Sequence, residues 1–130
     1  MRIYVDANVY LDYLQERKNR EGRDLGELAA ELFTRAVGCE FEIVLSDHVL
    51  DEMYKHASVE SARMLWEFLL PKVIMVWQSG EDKEYAKSLP THFDDALHIT
   101  LARRTGAKLI VTRNKTHFRE LIEAKCPEEI

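Results

Sequence analysis

The chain has 130 residues, 46% of them hydrophobic, which suits one compact domain over residues 1–130 and leaves no room for a second. Eighteen Lys and Arg against 23 Asp and Glu give a formal charge of −5, which excludes indiscriminate attachment to a polyanion and leaves any nucleic-acid contact to local basic groups. No run approaches the roughly 18 apolar residues of a membrane span and the N-terminus lacks a secretory pattern, so a cytoplasmic protein without membrane contact is expected.

The opening run "MRIYVDANVYLDYL" reads as a strand at Ile3, Tyr4 and Val5, then helical spacing over residues 9–14, with Asp6 in the turn between them. An open α/β sheet delivers its ligand-facing groups at such a position, beyond the carboxyl end of a strand. Asp6 or Asn8 could equally cap the following helix. Leu25, Leu28, Ala29, Leu32, Phe33 and Ala36 form an amphipathic helical stripe that ends near Gly38. Ile43, Val44 and Leu45 make a second strand, after which Ser46 and Asp47 offer a helix start. Val59, Ala62, Leu65, Trp66 and Leu69 predict another helix, stopped by Pro71, and Val73–Val76 a third strand.

Residues 81–88 predict a short polar helix broken by Pro90. Thr91 and Asp94 are spaced as a capping box opening a helix to about Arg104, with Gly106 as its stop. Leu109, Ile110 and Val111 form the fourth clear strand, and "LIEAKCPEEI" carries a weaker edge-strand signal before Pro127. Strands alternating with helices predict an α/β fold, a three-layer α/β/α sandwich around a mainly parallel central sheet of four to five strands. Cys39 and Cys126 are too few and too far apart for a disulfide framework or a zinc pair, so free thiols are expected.

In a parallel sheet, Asp6, the pair Asp94 and Asp95, and Asn114 fall at one edge, with Glu52 on the helix after strand two. Oxygen donors gathered this way suit a hard cation, magnesium or manganese, whose chemistry is activation of water and stabilisation of charge on a phosphate oxygen. In a chain that is 32% charged, the same acids could also be solvated surface.

Four segments, "YVDANV", "LSDHVLDEMYKH", "FDDALHITLARRTGAKLIVTRN" and the later "HF", run in order through nearly the whole chain and together resemble the PIN domain family, in particular its VapC-like toxins. The resemblance implies a metal-dependent endoribonuclease that hydrolyses RNA with Mg2+ or Mn2+, is silenced by a cognate antitoxin and forms a homodimer. It implies Asp6, Glu52 and Asp95 as catalytic metal ligands with Asp94 assisting, and Thr112 as a polar residue that orders the site. Many members carry a fourth acid where this chain has Asn114, so the resemblance is incomplete there. Arg113 and Lys115 are the expected contacts to the RNA backbone, and Asn8 a supporting residue.

His48, Glu52 and His56, each four residues apart, present imidazole, carboxylate and imidazole on one helical stripe, the donor types of a zinc site, although Glu52 is claimed by the family match. His98, three residues after Asp95, is placed either to hydrogen-bond a ligand carboxylate or to sit satisfied in the core. Trp66 and Trp77 read as core or dimer contacts, and Asp12 and Asp51 as surface or capping residues. A non-cleaving PIN-like binding module is the competing class, supported by Asn114. A phospho-aspartyl phosphatase ranks low because Asn8 stands where it needs a second Asp.

Overall fold

Ile3, Tyr4, Val5, Ile43, Val44, Leu45, Leu109, Ile110 and Val111 are all buried, the uninterrupted apolar runs that a parallel sheet covered on both faces requires. The computed structural model describes residues 1–118 and 120–130. It forms them into β1 (Arg2–Val5), β2 (Glu42–Ser46) and β4 (Leu109–Val111), joined by β3 (Val73–Val76) and a two-residue β5 (Ala124–Lys125). The sheet order is β3-β2-β1-β4-β5 and every pairing is parallel.

Among the described residues six α-helices connect the strands: α1 (Ala7–Leu14), α2 (Leu25–Val37), α3 (Asp47–Met53), α4 (Val59–Leu69), α5 (Gly80–Lys87) and α6 (Phe93–Arg104). Right-handed crossovers moving outward from β1 through β2 to β3 put α1, α2 and α4 on one face, and the return to β4 puts α5 and α6 on the other. The packing of α1 on α2, α2 on α4 and α5 on α6 follows this division. Close approach of the first pair depends on Gly26, where a Cβ would stand 2.9 Å from the Asp12 carbonyl oxygen. Alone among the helices, α6 is buried on almost every side from Ala96 through Ala102, so it has no amphipathic stripe.

The direction of the chain changes at β1, which sends its connection to β2 on one side and has β4 on the other. Ligands of open α/β sheets bind beyond the carboxyl ends of the strands at such a switch point, here between Asp6 and the turn after β4.

Two local expectations are corrected, and a third is narrowed. α6 begins after His92, which makes no side-chain cap, and Thr91 bonds back to Leu89 instead of capping. The capping box therefore does not form, and both Asp94 and Asp95 occupy the first helical turn. Asp12 is not on the surface: it is 2% exposed and paired with Arg113 and Arg17. Trp77 is 65% exposed and outside the core, whereas Trp66 packs against Tyr10 and donates its indole N–H to Tyr54. Gly106 does stop α6, at a φ of +76° that favours glycine.

Candidate active site

Asp6 is both things the sequence allowed, a helix cap and a group at the ligand edge. As N-cap of α1 its Oδ1 accepts the Ala7 N–H at 2.7 Å, while Oδ2 accepts the Thr112 hydroxyl at 2.9 Å. Thr112 Oγ1 in turn accepts the Asn114 N–H at 3.1 Å and lies 3.3 Å from the Asn8 amide nitrogen. Thr112 is fully buried, so one hydroxyl ties the end of β1 to the turn after β4 and fixes the Asp6 rotamer.

Glu52 reaches the same place because α3 is short and leans over the edge of the sheet, touching α1 on one side and α6 on the other. Ser46 caps this helix by accepting the Val49 N–H at 3.0 Å. The Ser46 hydroxyl also lies 2.6 Å from Tyr4 OH, which is 2.7 Å from His98 Nδ1, and His98 Nε2 is 2.9 Å from Glu52 Oε1. Four elements, β1, β2, α6 and α3, thus meet in one buried chain of hydrogen bonds that ends on the Glu52 carboxylate. His98 Nε2 is also 3.8 Å from Asp6 Oδ1, so a single imidazole nitrogen stands against both acids.

The electrostatics follow from that placement. Burial works to neutralise His98, but the hydrogen bond to Glu52 and the charge of Asp6 outweigh it and hold the imidazole above its ordinary value. Its charged form donates Nε2–H to Glu52 and Nδ1–H to Tyr4, leaving the Tyr4 proton for Ser46. Burial likewise pushes Glu52 up, yet the same hydrogen bond from His98 prevails and keeps its carboxyl below the usual range. His48, buried and beside charged His98, is held below its ordinary value. Asp95 shows the opposite of Glu52: burial and the Asp6 carboxylate raise it despite His117, whose Nδ1 is 3.6 Å away.

Asp6, Asn8, Glu52, Asp94, Asp95 and Asn114 line one open cleft of about 440 Å³, together with Arg17, Lys55, His56 and His117. Asp95 turns into the cleft with 19% of its side chain exposed, whereas Asp94 is 74% exposed at the rim. Two expected residues stand elsewhere. Arg113 clasps Glu128 at 2.6 and 2.8 Å and Asp12 at 3.3 Å, and Lys115 pairs with Glu129 at 2.9 Å. Of the cations that do line the cleft, Arg17 opens the basic run Arg17, Lys18, Arg20 and Arg23 visible in the sequence, whereas Lys55 carried no distinct signal there. α3 ends at Met53, so His56 leaves the helical stripe; the imidazole that joins His48 and Glu52 is His98, from another helix.

The family profile described as PIN domain matches residues 3–123. No curated protein matches by sequence. Among solved structures, the chain is similar to Mycobacterium tuberculosis VapC20, described as a sarcin-ricin loop cleaving toxin, at 16% identity and a TM-score of 0.64, over 92% of this chain and 95% of that one. It is similar to Rickettsia felis VapBC2, solved bound to a DNA fragment from its promoter, at 16% identity and a TM-score of 0.64, over 97% and 98% of the two chains. VapBC-1 of nontypeable Haemophilus influenzae gives 14% identity and a TM-score of 0.62, over 98% and 99%. These likenesses carry the fold, and the profile match carries the family: the chain belongs to the PIN domain family.

Proposed function

We propose that the protein is a divalent-metal-dependent endoribonuclease, the toxin of a type II toxin–antitoxin pair acting in the cytoplasm, with Mg2+ or Mn2+ as its cofactor. The observation that carries this reading is the gathering of Asp6, Glu52 and Asp95 around one cleft at the switch point of the sheet. The donor set fits the ion. Asp95 is raised by burial and by Asp6, and among the described residues no lysine or arginine comes within 4.0 Å of any of the three carboxylates, so the charge that His98 does not offset is left for a hard cation. When bound, such a cation supplies acidified water and neutralises charge on the phosphodiester.

The chain's own residues would do the rest. Asp6, Glu52 and Asp95 hold the ion, with Asp94 and Asn114 at the rim. Thr112 and Asn8 fix Asp6, and His98 fixes Glu52. Arg17 and Lys55 meet phosphates along the cleft wall, contacts that position RNA without reading its sequence. The exposed apolar side chains of α4, Val59, Met64 and Phe68, support a homodimer. The VapBC assemblies among its structural relatives support an antitoxin as the second partner.

The test is cleavage of RNA by the purified protein with Mn2+ or Mg2+, and its loss on chelation. Cleavage that survives chelation and reconstitution controls removes the metal mechanism. RNA binding without cleavage under any divalent metal favours the binding-module reading, to which the exposed amide of Asn114, in place of a fourth acid, gives its one structural support.

A further inference from the structure

His48, Glu52 and His98 form a group of a different chemical kind from the carboxylates beside it. One ligand atom from each lies within 4.8 Å of the others, and the two imidazole centroids are 4.3 Å apart. His98 Nε2 is 2.9 Å and His48 Nε2 3.4 Å from the same atom, Glu52 Oε1. Ligands at about 2.0–2.1 Å from a tetrahedral ion stand roughly 3.3 Å apart, close to both distances to Glu52; ligation would displace the Nε2 protons, the one His98 gives to Glu52 and the one His48 gives to the Asp94 carbonyl oxygen at 3.2 Å.

Two further features prepare the group. His98 is 2% exposed and its other nitrogen is committed to Tyr4 OH, itself backed by Ser46, which fixes the ring with Nε2 toward Glu52. A ligating histidine is ordinarily held in this way through its second nitrogen. Glu52 keeps 28% of its side chain exposed, which leaves an entry path from the cleft. Asp6 Oδ1 lies 3.8 Å from His98 Nε2.

We propose that His48, Glu52 and His98 form a second cation site, selective for a borderline transition metal such as Zn2+, that shares Glu52 with the carboxylate site and so competes with it. Two imidazoles with one carboxylate are a donor set of zinc, whereas Mg2+ takes oxygen ligands and keeps its water. The competition rests on the nuclease reading; the site itself does not. Occupation by Zn2+ draws Glu52 toward the two histidines and away from Asp95, and thereby silences Mg2+-dependent cleavage.

The experiment titrates the chelated full-length protein with Co2+ and reads visible absorption, which reports nitrogen ligands and low coordination number independently of cleavage. One Co2+ per chain with an intense four- or five-coordinate spectrum is expected, displaced by Zn2+ and not by Mg2+. His48→Gln should weaken Co2+ binding about tenfold or more and bleach the spectrum. His98→Gln should do the same; it disturbs the core, so His48→Gln, which keeps the Tyr4 chain intact, is the deciding variant. A weak six-coordinate spectrum in the parent protein, or one unchanged in His48→Gln, overturns the site. Where RNA is cleaved, His48→Gln should retain Mg2+-dependent activity and lose inhibition by Zn2+; equal inhibition in both proteins overturns the competition. Co2+ held through both histidines in a protein that never cleaves RNA leaves this site standing and refutes the nuclease reading.

Discussion

Two groups of acids flank the turn after β4, and they are neutralised in opposite ways. On one side, Asp12, Glu128 and Glu129 are matched by Arg113, Arg17, Arg23 and Lys115. On the other, Asp6, Glu52 and Asp95 face only imidazoles among the described residues. The first group is finished without a ligand and pins the C-terminal segment to α1. The second, three carboxylates against one charged imidazole at His98, leaves part of its negative charge uncompensated at the place where this fold binds ligands, an arrangement that costs stability and suits a cation. Acidic composition alone does not distinguish the two; the identity of the nearest partner does.

The largest effect expected is on activity. Asp6→Asn keeps the side-chain volume and the acceptor for Ala7, but removes a charge. It should lower cleavage by more than the roughly 10–100-fold typical of partners that only orient a ligand, with the fold intact by circular dichroism. Asp95→Asn should behave alike, and Asp94→Asn, exposed at the rim, should lose about tenfold less than Asp95→Asn. Full cleavage by folded Asp6→Asn would make the two acid groups equivalent and end the comparison.

Next comes stability. Arg113→Met leaves Asp12 buried with only Arg17, 3.7 Å away, and should destabilise the protein by about 3–5 kcal/mol in urea unfolding, with turnover per folded molecule little changed. If stability held and RNA affinity fell, Arg113 would be the phosphate contact that its sequence position suggested.

The two groups should also respond to pH with opposite signs in the chelated protein. Burial raises Glu128, but its hydrogen bonds from Arg113 prevail and lower it, so its contribution is present above the ordinary value of 4.5 and is lost as pH falls through the depressed folded value. Asp95, raised by burial from 3.8, costs stability as pH rises from there through its raised folded value. Above that range Glu128→Gln should melt lower than the parent and Asp95→Asn higher. Asp12 departs from its group, because burial outweighs Arg113 and raises it, so Glu128 is the cleaner probe. A lower melting temperature for Asp95→Asn would show that its charge is already compensated.

The smallest effect is expected at the turn itself. Asn114→Asp adds a fourth acid to the cleft and should tighten Mn2+ binding a few-fold by calorimetry, while repulsion from Asp6 and Asp95 lowers the melting temperature of the chelated form. No change in Mn2+ affinity would place residue 114 outside the metal site.

Much of this was legible along the chain, because apolar period and local punctuation act over a few residues. The strands at Ile3, Ile43, Val73 and Leu109, the Ser46 cap and the Gly106 stop were all readable, and strand–helix alternation gave the parallel sheet. That Asp6 ends a buried strand and that Asp95 opens the helix before β4 were readable for the same reason. Tertiary structure alone decided what each charged group meets. The sequence paired His48 and Glu52 with His56, one more turn along; α3 stops at Met53 and the partner is His98, 46 residues from Glu52. It read Asp12 as a surface or capping residue, and the fold buries it against Arg113 across 101 positions. Hydrophobic burial is non-directional and leaves its period in the sequence, whereas the neutralisation of a charge depends on a few ångströms between residues that only the closed sheet brings together.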